Sequence, residues 1–142
     1  MTQSEIQIEK IEAYLSTHYR VGSGSEAFVL RVGQRSSELE RLTRETELQG
    51  ALFITAFNPL GRRQDDDANA MAHELLGAQL RNMSTVVIEG SGADPIGGWP
   101  PEGSFLALGI GAEDARRLGR HFRQDAVVWA GNDAIPELLL LR

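Results

Sequence analysis

The sequence predicts an α+β protein, a single mixed β-sheet of about five or six strands covered by three to four helices. Three observations lead there. Segments of helical periodicity alternate with short apolar runs through much of the chain. The most apolar run, Ala51–Phe57, has the length of a strand and is bounded by Gly50 and Pro59. The last two apolar runs flank a Gly131-Asn132-Asp133 turn, which lets them pair as a hairpin.

Taken in order, Ser4–Thr17 carries Ile8, Ile11 and Leu15 at helical spacing, with Ser4 as its N-cap. Gly22-Ser23-Gly24-Ser25 breaks that helix, and Ala27–Val32 reads as a strand. Ser37-Glu38-Leu39-Glu40 has the form of a capping box and starts a helix that Gly50 closes near Gln49. After the Ala51–Phe57 strand, Asp65-Asp66-Asp67 opens a helix over about Asp66–Arg81. Its core face would hold Ala68, Met71, Ala72, Leu75, Leu76 and Leu80. Thr85–Ile88 is a short strand. Gly90–Gly103, with five glycines and three prolines, reads as a long loop of the kind that closes over a site. Ser104–Ile110 is a strand, Ala112–Phe122 a helix, Ala126–Ala130 a strand, and Pro136–Leu141 a last extended run. The 142 residues fit one domain, with an N-terminal helix inside 1–22 and an α/β core over 26–140.

Composition narrows the function classes. A net charge of −6, from 14 basic and 20 acidic residues, argues against non-specific coating of nucleic acid, although a local patch would still permit a specific contact. Thirteen of the basic residues are arginine and Lys10 is the one lysine. The absence of cysteine removes disulfides, thiolate nucleophiles and cysteine-based metal centres. No metal is expected elsewhere, because Asp65, Asp66, Asp67 and His73 lack the spacing of a metal-binding motif. No cofactor is expected either: Gly109-Ile110-Gly111 echoes a dinucleotide fingerprint, but Asp114 stands where its third glycine belongs. No export signal or membrane segment is visible, which makes the cytoplasm the default compartment.

Polar residues at the ends of buried strands are the candidates for a site, since rigid elements position them there. Asn58 ends the most apolar strand, Glu102 and Ser104 flank the entry to the next long one, and Gln124 precedes Ala126–Ala130. Asn69 shares a helix stripe with His73. These five residues, Asn58, Asn69, Glu102, Ser104 and Gln124, would bind a small polar ligand, a nucleotide or metabolite, beneath the 90–103 loop, with Trp99 or Phe57 as an apolar wall. Each also has a local role open to it, in capping turns or pairing loose backbone groups. Two other readings stand beside this one. Arg116, Arg120 and Arg123 recur at helical spacing and would form a basic face for an acidic partner or nucleic acid. Glu102 would serve a hydrolase-like enzyme as acid or base if burial holds its proton near neutral pH. The Leu138–Leu141 run needs cover on both faces, from the core or from a second copy in a homodimer.

At these same residues the sequence resembles a bacterial family, domain of unknown function 3293. The likeness is carried by Ile54-Thr55-Ala56-Phe57-Asn58-Pro59, by Asn69, by Glu102-Gly103-Ser104-Phe105 and by Phe122-Arg123-Gln124-Asp125-Ala126, and it runs from about Glu26 to Leu140. The resemblance implies no reaction and no cofactor. It singles out the candidate residues already chosen on chemical grounds.

Overall fold

The computed structural model describes residues 4, 6–93 and 100–142. In chain order the elements are α1 (Ile8–Ser16), β1 (His18–Val21), β2 (Phe28–Leu30), α2 (Ser37–Thr46), β3 (Ala51–Thr55), α3 (Asp66–Met83), β4 (Val87–Ala93), β5 (Glu102–Leu108), α4 (Ala112–His121), β6 (Ala126–Ala130) and β7 (Glu137–Leu140). The α+β class is as the sequence predicts. The sheet has seven strands rather than five or six, in the order β2-β1-β4-β5-β3-β6-β7. Every ladder in it is antiparallel rather than mixed.

Two connections determine the architecture. β3 leads through α3 to β4, and β5 leads through α4 to β6, each crossing over one intervening strand. The central four strands therefore form two interleaved split β-α-β units, the ferredoxin-like arrangement. β1 and β2 extend the sheet on one side and β7 on the other.

β3 is buried on both faces, as its unbroken apolar run requires. On one face Leu52, Ile54, Phe105, Ala107 and Val127 pack against Leu76 and Leu80 of α3 and Ala115 and Leu118 of α4. On the other, Ala51, Phe53, Leu106, Leu108 and Val128 pack with Tyr19, Val21, Leu30 and Leu39 of α2.

Several elements differ from the sequence reading for identifiable reasons. The N-terminal region is a nine-residue helix followed at once by strand β1, which was not expected. Ser4 is not the cap of α1; Gln7 holds that position. α2 is capped by Ser36, whose hydroxyl accepts from the Leu39 amide at 3.1 Å, one residue before the expected box. It ends at Thr46, short of Gly50, because Glu47 already takes the left-handed conformation that closes a helix. On α3, Met71 and Leu75 are 67% and 61% exposed. Leu76 and Leu80 face inward as expected, and Asn69 and Gly77 complete the buried stripe. Of the predicted 90–103 loop, 94–99 lie outside the described residues, while Gly90–Ala93 belongs to β4 and Glu102–Gly103 to β5. Gly90 shows why: opposite β1, a Cβ there would lie 2.2 Å from the Arg20 carbonyl oxygen, so the glycine marks a close backbone approach within a sheet. Trp99, the expected apolar wall, lies outside the described residues. Among the described residues no helix is long and apolar enough to cross a membrane.

Candidate functional site

The antiparallel topology gathers residues that are far apart in sequence. β3 ends at the sheet edge where β5 and β6 begin, because both pair antiparallel with it. β4 ends at the same edge and β1 starts there, with His18 opposite Ala93. Asn58, Glu102, Gln124, Thr17 and Gly92 are thus brought to one end of the sheet.

A cavity of about 350 Å³ opens at that end, between α1 and the sheet face that carries Phe53 and Val128. Lys10, Ala13, Tyr14 and Thr17 of the α1 segment form its roof. Its apolar floor includes Tyr19, Phe53, Ala126, Val128 and Leu138; Phe57 borders the polar end, but its ring turns to His73 on the α3 side, with centroids 5.9 Å apart, and does not supply the expected wall. Four of the five predicted residues, Asn58, Glu102, Ser104 and Gln124, line it. The fifth, Asn69, does not touch the cavity but fixes the residue that does.

Asn58 occupies the left-handed region at φ 48°, which asparagine tolerates better than most residues. Its backbone amide donates to Asn69 Oδ1 at 2.9 Å. Its Oδ1 accepts from Asn69 Nδ2 at 3.1 Å and from the Gln64 amide at 3.0 Å. Gln64 Nε2 donates to Asn69 Oδ1 at 2.8 Å and closes the network. With its oxygen so engaged, Asn58 turns Nδ2 outward to Glu102 Oε2 at 2.7 Å. The reciprocal pair of asparagines therefore orients one carboxylate at the cavity end.

Gln124 is positioned by the way α4 stops. Arg123 takes φ 56°, its amide donates to Arg120 O at 3.0 Å, and the Gln124 amide donates to Gly119 O at 2.9 Å. This is a Schellman closure with arginine in place of the usual glycine. It carries the chain out toward the cavity, where Gln124 Nε2 donates to Phe57 O at 3.1 Å and to Phe122 O at 3.3 Å. Ser104 is 1% exposed and its hydroxyl donates to Glu102 O at 3.0 Å.

The residues that hold the roof were not singled out by the sequence. The Asp125 carboxylate, fully buried, is met by Lys10 Nζ at 3.6 Å, by Arg142 Nε at 2.6 Å and by the Tyr14 hydroxyl at 3.1 Å. Tyr19 donates to the Tyr14 carbonyl at 2.5 Å. These polar contacts, and not the apolar stripe at Ile8, Ile11 and Leu15, decide which face of α1 turns inward; Ile8 and Leu15 are 68% and 45% exposed. The available signals were Lys10, conspicuous as the one lysine, and Asp125, which follows Gln124 at the start of a buried strand.

Burial pushes the Tyr14 hydroxyl well above its ordinary range, and the adjacent Asp125 charge adds to the effect. Burial does the same to Tyr19, with the Glu102 charge reinforcing it. These are both tyrosines of the chain. The unfolded chain releases their protons near pH 10 while the folded one retains them, so folding stability is full below about pH 10 and falls as pH rises above it. Tyrosinate absorbance is therefore expected to appear together with loss of circular dichroism on alkaline titration. Smooth ionisation of either tyrosine near pH 10 in the folded protein would contradict this placement.

The remaining predicted residues lie elsewhere. His73 packs on the α3 side of the sheet, stacked on Phe105 with ring centroids 4.2 Å apart, its Nε2 3.6 Å from Glu89 Oε1. Arg116, Arg120 and Arg123 do not form one helix face: α4 ends at His121, and the Arg123 carbonyl accepts from the Leu60 amide at 2.6 Å in a turn beyond it. Arg116 is 3.8 Å from Glu113. Among the described residues there is no cluster of three or more His, Cys, Asp or Glu that could hold a metal.

Fold and cavity together define an α+β protein of ferredoxin-like topology, with a ligand-sized hollow between an N-terminal helix and the sheet. The chain belongs to the family described as protein of unknown function (DUF3293), which matches residues 54–127, just over half of its length. That stretch runs from β3 into β6 and contains all five predicted ligand residues, while α1 and its roof residues lie outside it. Neither the curated proteins nor the solved structures provide a match to the chain.

Proposed function

We propose that the protein binds a small molecule in the cavity between α1 and the sheet. The observation that carries this reading is the convergence of Asn58, Glu102, Ser104 and Gln124 on one end of a hollow whose floor is apolar. An apolar body with a few oriented polar groups at one end is the usual composition of a small-molecule site. At about 350 Å³ the cavity lies at the small end of the roughly 300–1,000 Å³ typical of such sites. It suits a single ring or a short branched metabolite better than a whole nucleotide. The Asn58–Asn69 network adds support, because it holds the Glu102 side chain in one orientation before any ligand arrives.

A thermal-shift screen against small metabolites tests the proposal. A molecule that binds only the folded state raises the unfolding midpoint as its concentration exceeds Kd. Hits are expected to lose their effect when Ala126 is enlarged to Leu, which fills the floor of the cavity. A set of hits indifferent to that change, or no hit at all, would count against the site.

A further inference from the structure

The hydroxyls around the cavity have already committed their protons. Each hydroxyl carries one proton, and a carbonyl or carboxylate oxygen can only accept. Tyr14 donates to Asp125 Oδ2 at 3.1 Å and Tyr19 to Tyr14 O at 2.5 Å. Thr17 donates to Ala13 O at 2.6 Å, Thr55 to Gly103 O at 2.7 Å and Ser104 to Glu102 O at 3.0 Å. Every one of these oxygens is left with lone pairs alone to offer.

Gln124 completes the pattern. Both of its amide protons go to backbone carbonyls, those of Phe57 and Phe122, and this fixes which end of the amide is nitrogen. Its Oε1 accepts no hydrogen bond among the described residues, although the residue is only 8% exposed. That oxygen is not fully enclosed, so it keeps accessible surface where Gln124 lines the cavity, and a ligand's donor can take the place of water on it. Among the described side chains of the lining, the donors that remain are Lys10, whose ammonium faces Asp125, and the second Nδ2 proton of Asn58.

We infer that the cavity selects a ligand whose apolar body ends in an N–H-donating head, an amine, amidine or amino-heterocycle, and that Gln124 Oε1 and the Ser104 hydroxyl oxygen are the acceptors that read it. This rests on the cavity being the binding site. Carboxylates and phosphates are disfavoured because they bring lone pairs to a wall of lone pairs.

The test uses four probes of one shape: benzamidine and aniline as donors, benzoate as an acceptor, and toluene as the bare body. Each is titrated into isotope-labelled protein, with affinities read from the amide signals of Phe57, Ser104 and Gln124. Benzamidine and aniline are expected to bind at least about tenfold more tightly than benzoate and toluene, a ratio that one or two hydrogen bonds supply. Gln124→Met is expected to remove most of that ratio, weakening benzamidine and aniline far more than toluene. Ser104→Ala, which disturbs the backbone less, is expected to reduce it severalfold and carries the test if Gln124→Met does not fold. Equal affinity for toluene and aniline, or a preference for benzoate, would overturn the inference and leave the site standing. Failure of all four probes to perturb these signals would overturn both.

Discussion

Asn58→Asp is expected to destabilise the protein strongly at neutral pH and to recover as the solution is acidified. The substitution changes one group without changing shape, yet it sets a carboxylate oxygen where Nδ2 now lies, 2.7 Å from Glu102 Oε2. Two carboxylates at that separation cannot both ionise without a large penalty, so the folded variant retains a shared proton that the unfolded chain releases near pH 4. The pair's folded pKa is thus raised. The stability it contributes is full below about pH 4 and is lost as pH climbs through the raised value. At pH 7 a cost of about 3 kcal/mol is expected, a large effect for a single substitution and set by the like charge at hydrogen-bond distance. Urea denaturation across a pH series checks it, and adding Glu102→Gln should restore most of the neutral-pH loss. A variant that parallels the wild type at every pH would mean that Asn58 and Glu102 do not meet as described.

The second large effect concerns the cavity roof. No residue of α1 is itself buried, and the helix is held over the cavity chiefly through the Asp125 carboxylate. Removing one partner of a buried ion pair costs roughly 3–5 kcal/mol. Asp125→Ala should fall at the lower end, about 3 kcal/mol, because Lys10 and Arg142 are 36% and 30% exposed and regain water. The loss should be uneven. Hydrogen exchange is expected to show α1 amides losing protection while those of β3 and β5 keep theirs, since the central strands have their own cover on both faces. Asp125→Asn, which retains the shape and one acceptor, should lie between the two. Unchanged exchange in α1 would show that the carboxylate is not its anchor.

Much of the architecture was legible because strand-length apolar runs and helical stripes are local signals. β3, α3, α4 and the β6–β7 hairpin all lie close to their expected places. What escaped was set by neighbours distant in sequence. β1 is a four-residue strand, His-Tyr-Arg-Val, whose strand character comes from pairing with β2 and β4. β4 passes through Gly90-Ser91-Gly92, which reads as a loop until the Arg20 backbone is seen against Gly90. The end of α2 misled because its left-handed position is filled by Glu47 and not by glycine. For the site, chemistry at strand ends picked out Asn58, Glu102, Ser104 and Gln124, and antiparallel pairing is what brings those ends together. Asn69 does not line the cavity but hydrogen-bonds Asn58, which does. The roof could not be foreseen, since α1 docks through Lys10 and Tyr14 on a carboxylate more than a hundred residues away.

Crystals soaked with a library of small ring-bearing fragments would measure most directly whether this hollow is where the protein meets its ligand. Fragments should concentrate between α1 and the Phe53–Val128 face, with their polar ends against Gln124 and Glu102. Fragments distributed without preference, or gathered instead along Arg116 and Arg120 of α4, would contradict the assignment.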